Sequence, residues 1–185
     1  MRAIHRPTGP SPATITVEAG YATLEFRRFL RHSPSEIWEA LTKPELIRQW
    51  FLTEVRAQER VGGRIDLETG PDRVHATGRI RAWDPPRLYE YEWNTSDKNH
   101  PFPGERSVIR WELTPRGEGT LLVLTHRDLT TRTARVFGHG IPAFLDRLEA
   151  LLDGRPLGDR EPRFGTLRGS VLKARGPDKG GQPSE

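Results

Sequence analysis

The sequence contains no cysteine and no long apolar run, and these absences exclude several classes of protein and site. Its 185 residues include no cysteine, so disulfides, thiolate metal sites and a cysteine nucleophile cannot occur. No stretch is long and apolar enough for a membrane span. Residues 1–20 have no apolar core of signal-peptide length. Together these observations predict a cytoplasmic protein without a membrane span.

Motifs for catalysis and metal binding are lacking as well. The chain has neither a Gly-x-Ser-x-Gly nucleophile elbow nor a glycine-rich phosphate loop. Its six histidines include no pair at the helical spacing of metal ligands. We therefore expect no metal and no cofactor, and the sequence assigns no catalytic residue.

Positive charge is concentrated at the two ends of the chain. The net charge is +4, of which residues 1–17 carry +2 and residues 154–185 carry +3, which leaves −1 for the middle. Basic ends can bind phosphate chains weakly and without specificity. Solvation of the tail is the simpler interpretation, so we do not expect a nucleic-acid partner beyond such weak tail contacts.

Length and local composition predict one domain between two tails. Residues 1–13 are rich in proline and polar side chains and are expected to form a flexible N-terminal tail. Residues 14–153 form the predicted domain. Residues 154–185 combine glycine, proline and charge, and are expected to form a basic, disordered C-terminal tail.

Hydrophobic periodicity and turn residues predict the order of elements within the domain. A short strand at 14–18 and a strand at 21–31 precede two short helices, which begin at Ser33-Pro34 and at Pro44. A long helix at 133–153 ends the domain, with Gly154 as its cap and Pro142 as a kink or a new start. Six strands separated by turn sequences are predicted between the helices, at 53–58, 64–69, 74–83, 87–94, 106–114 and 120–128.

Several short fragments follow one another in a characteristic order. They are residues 32–38, 42–51, 62–63, 84–88 and 119–126, followed by the spaced Gly140, Leu145 and Leu148. In this order they resemble the START-like (SRPBCC) superfamily, in particular the branch named after the activator of the heat-shock-protein-90 ATPase. The resemblance implies an α+β helix-grip fold, in which a curved antiparallel sheet wraps around a long C-terminal helix and two short helices follow the first strand. It says less about function, because one fold serves many functions.

Such a fold often leaves a cavity between the sheet and the helix. Alternation along the strands predicts an inner face that is aromatic and apolar, which suits a small apolar ligand or a filled core. Trp50 and Phe51 would lie at the cavity mouth, as a wall for ligand or as a plug. His126 would point inward, where an imidazole can act as an acid, a base or a hydrogen-bond donor. The candidate cavity residues are Trp38, Trp50, Phe51, Ile80, Tyr91, Trp93, Trp111, His126, Ile141, Phe144 and Leu148.

Three functional hypotheses follow from these patterns and the resemblance. The leading hypothesis is a protein that binds a small hydrophobic molecule without changing it. The second is an enzyme that acts on an aromatic or polyketide-type compound, with His126 and Tyr91 as the pair that moves a proton. The third is a chaperone-linked or regulatory module that binds a protein partner through the outer sheet face or the basic tail.

Overall fold

Eight strands form a single antiparallel sheet. The computed structural model describes residues 13–69, 74–95 and 102–157, so both predicted tails lie almost entirely outside the described residues. The strands are β1 (Thr14–Glu18), β2 (Tyr21–Leu30), β3 (Thr53–Ala57), β4 (Arg64–Thr69), β5 (Val74–Asp84), β6 (Leu88–Asn94), β7 (Arg106–Arg116) and β8 (Gly119–Thr130). Their order in the sheet is β1-β2-β8-β7-β6-β5-β4-β3, so the second strand of the chain pairs with the last.

Two short helices, α1 (Pro34–Thr42) and α2 (Pro44–Phe51), follow β2. Both begin with proline, whose fixed φ and missing N–H suit the first helical position. Ser33 also forms a capping box, since its Oγ accepts from the Glu36 N–H at 3.3 Å and its own N–H donates to the Glu36 carboxylate at 2.8 Å. With eight residues α2 is too short to be stable alone, so tertiary contacts determine its position.

The long helix α3 (Thr131–Leu152) begins two residues earlier than the sequence predicts. Thr130 causes the early start, because its Oγ1 accepts from the Thr133 N–H at 3.3 Å and caps the first turn. Pro142 lies inside the helix and so does not start it. The predicted cap at Gly154 is confirmed: this residue has φ +65° and donates to the Leu151 carbonyl at 3.1 Å, while the next N–H reaches Ala150.

A buried carboxylate anchors the start of α3 to the sheet. Glu105 is 3% exposed, immediately precedes β7, and accepts from the Thr130 N–H at 3.1 Å. It also accepts from the hydroxyls of Thr130 and Thr133. A negative charge is favourable at the N-terminus of a helix, so this contact fixes the position of α3 relative to β7.

The predicted alternation of β5 is wrong near its end. The register of β5 against β6 shifts between Ile80 and Ala82, and such a bulge reverses the faces that later side chains occupy. Strict alternation from Ile80 would place Ala82 on the inner face, but Ala82 pairs with Glu90, on the outer one. Trp83 turns inward instead and pairs with Tyr89. The remainder of the architecture confirms the predicted α+β helix-grip fold.

Candidate ligand-binding site

The structure places the eleven predicted cavity residues in a small pocket, an aromatic cluster and the hydrophobic core. Ten of them are buried and Phe51 is half-buried, so all contribute to the interior or to its edge. Four line a small pocket beneath α2: Trp50, Phe51, Tyr91 and Trp111. Two others, Trp93 and His126, belong to a separate aromatic cluster against α3. The other five pack in the hydrophobic core: Trp38, Ile80, Ile141, Phe144 and Leu148.

The pocket lies between α1, α2 and the inner face of the sheet, and we call it the α2 pocket. Its volume is about 20 Å³, roughly the space that one water molecule needs. Pockets that hold small organic ligands usually have about 300–1,000 Å³. All ten lining residues are uncharged: Leu41, Ile47, Trp50, Phe51, Val55, Ile65, Leu67, Tyr89, Tyr91 and Trp111. In this structure the α2 pocket is therefore apolar and too small for such a ligand.

Aromatic rings from α2 close this pocket. The Trp50 ring stacks on Phe51 with centroids 5.0 Å apart and meets the edge of Trp111 at 6.2 Å. Phe51 packs edge-on against Phe144 of α3 at 4.9 Å. The indole Nε1 of Trp50 donates to the Ala40 carbonyl at 2.8 Å. The two α2 aromatics therefore contact both the sheet and α3, as expected for a plug or a wall.

Two tyrosines supply the phenol groups at the pocket. Burial raises the pKa of Tyr91 to about 12, although a hydrogen bond with the Trp111 side chain opposes this. Burial also raises the pKa of Tyr89 well above its ordinary value. Both phenols are thus neutral near pH 7 and can give a ligand a hydrogen bond, but neither is ready to act as a base.

His126 is buried, 3% exposed, and bound to a serine. Its Nε2 lies 2.9 Å from Ser107 Oγ, and Ser107 Oγ lies 3.1 Å from the Trp93 carbonyl, to which it can only donate. Both contacts are hydrogen bonds only if His126 carries its proton on Nε2. Burial lowers the pKa of His126 to about 3. The imidazole is therefore a neutral donor at pH 7, which fits a structural role better than that of an acid or base.

The hypothetical proton-transfer pair of His126 and Tyr91 is not brought together. Both residues pair with Ile109 of β7, Tyr91 from β6 and His126 from β8. Two strand spacings, about 10 Å, therefore separate their backbones. The structure instead pairs His126 with Ser107 and Tyr91 with Trp111.

Sequence reasoning missed two residues close to the site. Trp83 reaches the inner face through the bulge. The centroid of its ring lies 5.0 Å from that of Trp38 and 5.1 Å from that of Tyr89. Arg147 of α3 is buried and donates to the backbone at the end of α2. A signal for Arg147 existed, because it lies on the apolar stripe of α3, three residues after Phe144. No sequence pattern announces the bulge.

Two further observations hold for the part of the chain that the structure describes. No group of three or more His, Cys, Asp or Glu side chains could hold a metal ion there. Within the same ranges, no helix is long and apolar enough to cross a membrane.

Comparison with known proteins adds a family and several solved relatives. The family "Activator of Hsp90 ATPase homolog 1-like protein" matches residues 31–153, more than half of the chain. Protein MLL2253 from Mesorhizobium loti is 28% identical with a TM-score of 0.65, and the match covers 72% of this chain and 98% of that chain. CalU16 from Micromonospora echinospora, in its solution structure, is 25% identical with a TM-score of 0.63, covering 91% of this chain and 97% of its own.

A third solved structure supports the fold alone. The protein encoded by BPP1335 from Bordetella parapertussis is 22% identical with a TM-score of 0.60, and the match covers 92% of this chain and 93% of that one. No match was found among the curated proteins. Family and fold together support a START-like domain of the ligand-binding type.

Proposed function

Because the chain belongs to the family of Activator of Hsp90 ATPase homolog 1-like proteins, within the START-like superfamily, we propose that it binds a small hydrophobic molecule in the α2 pocket. The observation that carries this proposal is the composition of the pocket lining, which has ten residues and no charge. Apolar walls with a few polar groups are typical of sites for small organic ligands. Among the lining side chains, those of Tyr89 and Tyr91 carry a hydroxyl.

The ligand enters when one wall moves outward, because the closed pocket holds no more than about one water molecule. The strand residues of the lining belong to a continuous hydrogen-bonded sheet. The wall made by α2 contributes Ile47, Trp50 and Phe51 on a helix of only eight residues. Moving this helix breaks far fewer backbone hydrogen bonds than separating strands, so α2 is the wall that opens.

We propose binding without catalysis as the role of this pocket. The phenols at the pocket are neutral, and His126 is not among the lining residues. A cytoplasmic location is part of the same proposal and is supported by the absence of cysteine.

Titration with the uncharged fluorescent probe N-phenylnaphthylamine tests the proposal. Its fluorescence should rise on binding to the full-length protein and saturate at one probe per chain. Val55→Phe should abolish this signal, because Val55 lines the pocket and the larger ring fills the space. The measurement is the fluorescence increase at fixed protein and rising probe concentration.

Val74→Phe is the matched control. Val74 is also a buried strand valine, 6% exposed against 8% for Val55, but it does not line the pocket. This variant should bind the probe like the natural protein. Absence of saturable binding by the natural protein, or equal binding by both variants, would overturn the proposed function.

A further inference from the structure

One buried arginine connects the end of α2 to α3. Arg147 is 9% exposed, and its guanidinium donates from Nε to the Trp50 carbonyl at 3.1 Å and from Nη2 to the Gln49 carbonyl at 2.8 Å. Both acceptors lie in the last turn of α2, where carbonyls have no partner within the helix. Arg147 therefore satisfies the backbone of Trp50, whose side chain lines the pocket, and of its neighbour Gln49.

The electrostatics of this contact favour a closed α2. The carbonyl end of a helix carries a partial negative charge, which attracts a cation. Burying a guanidinium is costly unless its donors are satisfied, and α2 supplies two of the acceptors of Arg147. Outward movement of α2 would take two acceptors away from this permanently charged group. The hydrogen bonds thus resist opening of this wall specifically.

The same side chain also binds the segment that follows α3. Nη1 of Arg147 donates to the Leu157 carbonyl at 2.9 Å. Residues 153–157 leave α3 through the left-handed Gly154 and turn back toward this arginine. One guanidinium on α3 therefore binds two stretches of backbone at once, the end of α2 and the chain beyond α3.

We infer that Arg147 is a latch that holds α2 closed over the pocket, and that its release is the step that admits a ligand. The identity of the latch as a ligand gate rests on the proposed function. That Arg147 holds α2 in place does not rest on the proposed function, because the opening of α2 can be measured without any ligand.

Hydrogen exchange of the ligand-free, full-length protein tests the latch. Arg147→Lys keeps the positive charge but loses the planar fork that reaches several carbonyls at once. We expect the amides of residues 47–51 to exchange about ten- to a hundredfold faster in this variant, the factor that loss of a hydrogen bond to a charged group implies. Amides of the central strand β7 should exchange as in the natural protein, once any change in the free energy of global unfolding has been subtracted.

Arg28→Lys is the matched control. Arg28 is an arginine of similar burial, with a side chain 10% exposed, and it also donates to a backbone carbonyl, that of Pro142, at 3.2 Å. Its contacts join β2 to α3 and do not involve α2. This variant should leave the relative exchange of residues 47–51 unchanged. Unchanged α2 exchange in Arg147→Lys, or a rise that only parallels β7, would overturn the latch.

A second measurement on the natural protein covers the case in which Arg147→Lys does not fold. If one opening event releases α2 and the guanidinium together, the Arg147 Nε–H and the amides of residues 47–51 have the same opening equilibrium in NMR exchange experiments. A much faster Nε–H would overturn the latch.

Probe binding separates the latch from the proposed function. With the function correct, Arg147→Lys should also speed association of N-phenylnaphthylamine in stopped-flow experiments. The remaining outcome is faster exchange of residues 47–51 in Arg147→Lys with no probe binding by any variant. This result would reject the proposed function and, with it, the role of Arg147 as a ligand gate.

Discussion

The two ends of the inner sheet face use similar aromatic side chains but reach different results. At one end Trp50, Tyr91 and Trp111 border the α2 pocket. At the other, the His126 cluster consists of His126 and Ser107 with the rings of Trp93, Phe102 and Phe137, whose centroids lie 5.0–6.5 Å apart. None of these five residues lines the α2 pocket.

The difference between the two ends follows from the element that covers each. The His126 cluster packs against α3, a helix of 22 residues that Glu105 anchors at its start. The α2 pocket is covered by a helix of eight residues, which is held by side-chain contacts at its end. Rings of the same type thus form a packed core under a long, anchored helix and border a small pocket under a short one.

Removing one large ring from each end gives the largest expected effect. Trp111→Ala and Trp93→Ala should each lower the free energy of unfolding by about 3–5 kcal/mol, the usual cost of truncating a buried aromatic side chain. Trp111→Ala should cost less of the two, because α2 can move into the space, whereas the anchored α3 cannot. Urea denaturation of both variants measures the two values.

The comparison would fail if Trp111→Ala proved the more costly variant. A loss near zero for Trp111→Ala would be more serious, because it would contradict the burial of this ring, which is 6% exposed.

The pH dependence of stability gives the next largest effect. Burial lowers the pKa of His126 to about 3, while an unfolded histidine titrates near 6.5. Between these values the unfolded state binds more protons than the folded state, so stability decreases as the pH falls from about 6.5. The expected slope is about 1.4 kcal/mol per pH unit. Thermal denaturation between pH 7 and pH 4.5 measures it.

Two variants assign this slope to the His126 cluster. His126→Asn should remove most of it, because asparagine does not titrate in this range. His75→Asn replaces an exposed histidine and keeps His126, so it should keep the slope that the buried imidazole causes. An equal slope in the natural protein and in His126→Asn would show that the imidazole is not buried as described.

Local chemistry made most of the fold predictable from the sequence. Ser33-Pro34 and Pro44 fix the helix starts, and turn residues such as Gly62 separate the strands because few other residues tolerate its φ of +77°. Alternation then indicates which side of each strand faces inward. These signals depend on neighbours in the chain, so they survive without knowledge of the tertiary structure.

The candidate site was less predictable, because it depends on contacts between distant elements. The bulge after Ile80 that turns Trp83 inward is set by pairing with β6, and no residue in β5 marks it. The division of the inner face into a pocket and a packed cluster depends on how closely rings from different elements approach. Whether Arg147 is exposed or buried likewise depends on where α2 comes to rest.

The five tryptophans of the chain provide the most direct test of the account. Two of them, Trp50 and Trp111, line the α2 pocket, while Trp93 lies in the His126 cluster. Each indole N–H gives one NMR signal, which can be followed while N-phenylnaphthylamine is added to the full-length protein. Saturable shifts of the Trp50 and Trp111 signals, with Trp93 unmoved, are the predicted result. A shift of Trp93 without Trp50 and Trp111, or no shift of any indole signal at saturating probe, would contradict a ligand site beneath α2.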